Sequence, residues 1–200
     1  MKRIWVAFVV VLGGCASSAP LRYYTLSDVP GTAGSAGASA IRVGRVKIPG
    51  ELDRSELVQR IDANRLKIAE QDRWAAPLDE MIRRVLAADL QSRTGAASNA
   101  PSTSSATSPP ASTAPSTPSA SASTLSLDID DFIGDATCTV TLRASWELKP
   151  VGANAAPSGS GHESIQIAPP SSTTCTVGAL PAAMSQALAQ LSERILAAAR

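Results

Sequence analysis

From Cys138 to Leu148 apolar and polar side chains alternate without a break. Cys138, Val140, Leu142, Ala144, Trp146 and Leu148 stand against Thr139, Thr141, Arg143, Ser145 and Glu147. A strand sends successive side chains to opposite faces, so this run predicts an antiparallel strand with one dry and one wet face. Leu125, Leu127, Ile129 and Ile133 alternate in the same way before it, and Ile165 and Ile167 mark its partner beyond a Gly-rich loop at 152–161. Nearer the N-terminus, residues 22–26 form a short strand and residues 41–48 a second one, stopped by Pro49-Gly50. Residues 57–61 and 66–69 pair as a hairpin around Ala63-Asn64.

Two segments carry the helical period instead. Pro77 opens the first at the N1 position it tolerates, with Asp79 and Glu80 in the first turn. Leu78, Met81, Ile82, Val85, Leu86 and Leu90 then share one face. The second helix starts near Pro181 and carries Met184, Leu188, Leu191 and Ile195 on one side. Strands with one dry face and two amphipathic helices predict an α/β (α+β) fold, a two-layer sandwich with both helices on one face of a mainly antiparallel sheet.

Residues 96–124 belong to neither pattern. All 29 are Ala, Ser, Thr or Pro except Asn99. Ordering such a stretch would bury almost nothing against about 1–2 kcal/mol per residue of lost entropy, so it is expected to be a disordered surface insertion. An O-glycosylated stalk is the functional alternative. The loop at 32–40 has a similar character.

The first residues address the chain to an envelope compartment. Met1-Lys2-Arg3 is a basic start, and Ile4 to Leu12 is an apolar run of nine residues. A membrane span needs about 20 apolar residues, so the run fits a signal peptide rather than a transmembrane helix. Leu12-Gly13-Gly14-Cys15 is similar to a bacterial lipobox, which predicts a signal peptide at 1–14, a diacylglyceryl-modified Cys15, a tether at 15–21 and one domain at 22–200. An ordinary secretory signal with a chance cysteine is the alternative. Ala16, where an aspartate would favour inner-membrane retention, points to the periplasmic leaflet of the outer membrane. Two or three acyl chains anchor persistently where one holds marginally.

Composition narrows the function. Removing 1–14 leaves 16 basic and 17 acidic side chains, a net charge of −1, and so no steering field for nucleic acid. The single histidine, His162, lies in the Gly/Ser loop without a second ligand or an H-E-x-x-H spacing, and reads as solvent-exposed. Asp128, Asp130, Asp131 and Asp135 resemble part of a calcium loop but lack its glycine and terminal glutamate. They read as the charged face of an edge strand. No nucleophile elbow, P-loop or dinucleotide fingerprint occurs, so no enzyme, metal or cofactor is expected beyond the lipid on Cys15.

With Cys15 lipidated, Cys138 and Cys175 remain as a pair in an oxidising compartment. A hairpin loop centred near residue 156 would set Ile165 opposite Leu148, Ile167 opposite Trp146 and Cys175 opposite Cys138. Pro169-Pro170 ends the second strand, so a bridge would join across a loop. Two separate buried thiols are the alternative. Arg73-Trp74 before Pro77-Leu78 reads either as an aromatic packed under the helix entry or as a partner-contacting corner.

In order along the chain, Tyr23-Tyr24-Thr25-Leu26, the run Ile41 to Pro49, Leu52-Asp53-Arg54, Leu57-Val58-Gln59-Arg60, Asn64-Arg65-Leu66, Asp72-Arg73-Trp74-Ala75 and Pro77-Leu78 resemble the PqiC-type lipoproteins, the auxiliary lipoprotein component of ABC-type transporters. The order and spacing of these short motifs carry the resemblance. Ser55 departs from it where a proline is usual, as does Ala76 where an acidic residue is common. The resemblance implies a non-catalytic subunit of an intermembrane lipid transport system. Its partner would be an MCE-domain protein rooted in the inner membrane, and its own copies could form a homo-oligomeric ring held to the outer membrane by the lipid anchor. Asp53, Arg54, Arg73, Trp74 and Pro77 are the motif residues through which it would meet that partner. The competing expectations are an accessory lipoprotein of another envelope assembly or secretion machine, and a periplasmic hydrolase dependent on His162.

Overall fold

A computed structural model describes residues 19–31, 41–94, 123–151, 158–169 and 175–199. Cys15, the signal segment, the loop at 32–40 and insertion residues 96–122 lie outside them. The elements in chain order are strands β1 (Arg22–Tyr24), β2 (Ile41–Lys47), β3 (Glu56–Asp62) and β4 (Arg65–Trp74), helix α1 (Leu78–Thr94), strands β5 (Ser123–Asp135), β6 (Val140–Pro150) and β7 (Gly159–Ile167), and helix α2 (Leu180–Ala198). A single 3-10 turn, Val177–Ala179, leads into α2.

The seven strands form one open sheet in the order β1-β4-β3-β5-β6-β7, with β2 added alongside β5. The long ladders β3·β4, β5·β6 and β6·β7 are antiparallel. Three pairings are parallel, β1·β4, β2·β5 and β3·β5, and hydrophobic period cannot reveal them because either direction leaves the same face dry. The mixed α/β fold with a mainly antiparallel sheet and two helices is as the alternation predicts.

Both helices face the core through the predicted stripes. Leu78, Met81, Ile82, Val85, Leu86 and Leu90 of α1 are buried, as are Met184, Leu188, Leu191 and Ile195 of α2. They meet Leu57, Leu125, Leu127, Ile129, Phe132, Val140, Leu142 and Ile165 of the sheet in one cluster. The carbonyl of Pro77 accepts from the Met81 amide at 3.1 Å, so this proline stands at the cap rather than at N1. Pro181 does occupy the first turn of α2.

Four details differ from the sequence reading. Ser123 and Thr124, taken as the end of the insertion, begin β5, where they pair with Pro150 and Lys149 on one side and Ile41 and Arg42 on the other. Gly159, Ser160 and Gly161, taken as loop, begin β7, and His162 stands in that strand. Their glycines answer to Trp146, because a Cβ at Gly161 would come within 2.9 Å of the indole. The hairpin register is also displaced: Ile165 faces Leu142 rather than Leu148, and Ile167 faces Val140 rather than Trp146. The displacement is six residues, an even number, so each strand keeps its apolar face inward. Finally, β5 is not an edge but is flanked by β6, β3 and β2.

Candidate functional site

The motif residues converge at the corner where β3, β4 and β1 meet. A turn at Pro49–Leu52, closed by the Leu52 amide on the Pro49 carbonyl at 2.9 Å, buries Leu52 and leaves Asp53 and Arg54 exposed. The chain then enters β3 at Glu56, directly opposite Arg73 of β4. The Glu56 carboxylate lies 3.9 Å from Arg54 Nε and 3.6 Å from Arg73 Nη2, so two guanidiniums share one carboxylate. Its own backbone amide holds this carboxyl below the usual range, against the opposing effect of burial, with help from the Ser55 hydroxyl, Arg73 and Arg54. Arg73 Nε is buried with no partner among the described residues.

Trp74 is buried in the core, which favours the packing reading of Arg73-Trp74, while Arg73 itself remains partly exposed. The Trp74 amide donates to the Ser55 carbonyl at 2.7 Å and the Ala75 amide to the Tyr24 carbonyl at 2.8 Å. These two bonds tie the three motif segments together. Ala19, Arg54, Glu56, Ile68, Glu70, Gln71 and Arg73 line a shallow open cleft here. Thus Arg54 and Arg73 are brought together through Glu56. Asp53 and Pro77 are exposed, and among the described residues neither has a hydrogen bond or ion pair to Arg54, Glu56 or Arg73.

Three polar clusters escaped the sequence reading. Asp131, taken as a solvated charge, is buried and accepts two bonds from Arg60 and one from Arg143, all at 3.0 Å. A ladder irregularity between Ile129 and Asp131 sets Asp131 level with Arg143. Asp72 is likewise buried, gripped by Arg22 at 2.7 and 2.9 Å and by the Tyr24 hydroxyl at 2.9 Å. Burial and then the Asp72 bond push the Tyr24 phenol up. Asp89 lies on the buried stripe of α1, one turn before Arg93, and accepts from the Val29 amide at 2.9 Å. Only Asp89 left a trace, since positions 82, 85, 86, 89 and 93 continue the helical stripe.

Cys138 and Cys175 are disulfide-bonded, with Cα atoms 5.5 Å apart. The bond joins the β5–β6 turn to the segment before α2, and Cys138 adopts a left-handed backbone with φ 63°. It crosses a loop, outside the β6·β7 ladder. His162 pairs across strands with Ser145, whose hydroxyl lies 2.9 Å from the ring Nδ1. This pair is on an exposed surface, and no carboxylate among the described residues hydrogen-bonds the ring, so the orienting third member of a hydrolytic triad is missing there. No three His, Cys, Asp or Glu side chains gather into a metal-sized cluster among the described residues.

The family model for the ABC-type transport auxiliary lipoprotein component matches residues 24–196. The chain belongs to this family. The auxiliary lipoprotein family is that of the PqiC-type resemblance, and it describes a transport component rather than an enzyme. No curated protein matches the chain. Two crystal structures share the fold of this auxiliary lipoprotein. One, of an uncharacterized protein, has a TM-score of 0.61 and 20% identity, covering 90% of this chain and 98% of its own. The other, a Xanthomonas campestris protein assigned to DUF330, has a TM-score of 0.58 and 18% identity, covering 88% and 92%. Among the described residues no helix is long and apolar enough to cross a membrane.

Proposed function

We propose that this protein is the outer-membrane lipoprotein of an MCE-type intermembrane lipid transport system, which docks the periplasmic end of the MCE conduit and so supports envelope integrity. The observation that carries the reading is membership of the transport auxiliary lipoprotein family over residues 24–196. Cys15 bears the diacylglyceryl and acyl chains, and no other cofactor is required. The anchor holds the body at the periplasmic leaflet, raising its effective concentration there for docking. Copies assemble as a homo-oligomeric ring around the conduit. The corner of Arg54, Glu56 and Arg73 fits a docking role, because two guanidiniums against one carboxylate leave donors free for an acidic or carbonyl-rich partner surface.

Crosslinking the lipidated protein in its own cells, with partners identified by mass spectrometry, tests the proposal. An MCE-domain protein in the adduct is the expected result, together with increased envelope permeability on deletion. Adducts confined to secretion or lipopolysaccharide-assembly components, with permeability unchanged, would overturn it.

A further inference from the structure

We infer that the β3–β4 hairpin, with the start of β1 beside it, is the surface this protein lays on an anionic phospholipid membrane. Among the described residues six large hydrophobics are exposed: Ile61, Leu66 and Ile68 on this hairpin, Leu21 and Tyr23 at β1 beside the other end of β4, where Tyr23 is level with Arg73, and Val151. Leu66 and Ile68 project from one side of β4, level with Arg60 and Val58 of β3. Ile61 falls where the ladder slips between Arg60 and Asp62 and has no cross-strand partner. From Arg60 through Ile68 the hairpin carries Arg60, Arg65 and Lys67; Arg60 is held by the buried Asp131 and Arg65 by Asp62, which leaves Lys67, between Leu66 and Ile68, without an ion pair among the described residues. Apolar side chains interleaved with a cation match a bilayer interface, where acyl chains take the former and anionic headgroups the latter.

Chain direction places the anchor at the same end. β1 runs parallel to β4, with Arg22 level with Asp72 and Tyr24 with Trp74. Tracing the chain back from Arg22 therefore leads towards Arg65 and the hairpin tip. Ala19 lines the cleft that runs from the Arg54, Glu56 and Arg73 corner to Ile68 of the hairpin. Cys15 is four residues before Ala19, and four residues reach no further than about 14 Å. The inference rests on the proposed lipidation of Cys15: a lipid attached there brings this corner to the leaflet first. Val151, the sixth exposed hydrophobic, follows β6, whose Pro150 pairs with Ser123 at the start of β5. Arg60 of the hairpin strand is level with Asp135 at the other end of β5.

The test uses the full-length lipidated protein in vesicles of phosphatidylethanolamine and phosphatidylglycerol. With Cys138 and Cys175 bonded and Cys15 acylated, an introduced cysteine is the single free thiol for an environment-sensitive fluorophore. Labels at Leu66→Cys and Ile68→Cys are expected to be quenched by spin-labelled lipid at least threefold more strongly than a label at Val151→Cys. These positions are exposed, and fluorescence of the buried Trp74 and Trp146 checks that each variant folds. Equal quenching at all three sites overturns the inference. Disulfide-linked dimers through Ile68→Cys in place of lipid quenching also overturn it, by identifying a second copy as the occupant. Intact mass of the same sample separates the two readings: lipid on Cys15 with uniform quenching refutes the hairpin assignment alone, whereas Cys15 without lipid refutes the anchor and the assignment resting on it.

Discussion

Replacing Asp89 with asparagine should stabilise the protein at neutral pH, and the gain should turn into a loss in acid. The carboxylate is fully buried on the core side of α1. One oxygen accepts from the Val29 amide, while Oδ2 has no partner among the described residues. Burial pushes the group up to about 6, against the Val29 bond and the nearby Arg93 charge, and Asp28 and Glu193 push in the same direction as burial. Below about pH 4 the carboxyl is protonated in folded and unfolded chains alike and contributes no pH dependence. Between about 4 and 6 the unfolded chain releases its proton while the fold retains it, so stability from this group falls as pH rises. Above about 6 the full penalty applies, roughly 3 kcal/mol for two pKa units at 1.36 kcal/mol each. Asparagine keeps an acceptor for Val29 but buries an unpartnered NH2, which returns about 1–2 kcal/mol. The expected net gain is therefore about 1–2 kcal/mol at pH 7.5, and at pH 4, where only the unpartnered NH2 remains, it becomes a net loss of about 1–2 kcal/mol. Urea unfolding of both proteins across this range, followed by fluorescence of the buried Trp74 and Trp146, measures the difference directly. A difference independent of pH, or one that favours the wild type more strongly at pH 7.5 than at pH 4, would refute the reasoning.

Other perturbations test separate parts of the fold. Replacing Cys138 and Cys175 together with alanine opens a bridge of sequence separation 37 and should cost about 4 kcal/mol in the chain-entropy model, read as a lower urea midpoint that reductant no longer changes. Gly161→Val forces the Trp146 indole from its place across β7 and should cost about 1–3 kcal/mol with altered indole fluorescence, whereas Gly50→Ala, whose added Cβ meets nothing within 4 Å, should change stability by less than about 1 kcal/mol. Asp131→Ala leaves Arg60 and Arg143 facing each other without their shared carboxylate and should destabilise by about 3 kcal/mol, much more than Asp128→Ala at the exposed ion pair with Lys47. Exchanging both Arg54 and Arg73 for glutamate should abolish crosslinking to the proposed MCE-domain partner while the Cys138–Cys175 bond still forms, and undiminished crosslinking would remove this corner from the proposed docking surface.

The amino-acid pattern by itself determined the layers. Alternation in β5 and β6 and the 3.6-residue stripes of α1 and α2 name 20 of the 33 core residues among the described residues, because burial of a face follows local period; Phe132, which breaks the alternation of β5, is not one of them. The even pair of cysteines suggested the Cys138–Cys175 bond with two separate thiols as the alternative, and the fold decides for the bond although the strand register differs from the expected one. Register and neighbour choice were decided elsewhere. The β6·β7 ladder lies six residues from the turn-centred expectation, because any even displacement preserves the dry face; in the observed register Gly159 and Gly161 lie against the Trp146 indole. That β5 lies inside the sheet follows from its parallel contacts with β2 and β3, which no local pattern encodes. Its position turns Asp131 from a solvated charge into the shared acceptor of Arg60 and Arg143. The motif corner divides in the same way: the order of the tetrapeptides identifies the family, but only the Glu56·Arg73 cross-strand pairing brings Arg54 and Arg73 to one carboxylate. Local periodicity determines which side of an element is dry, whereas the identity of a charge's partner depends on which strand lies alongside, and tertiary packing alone decides that.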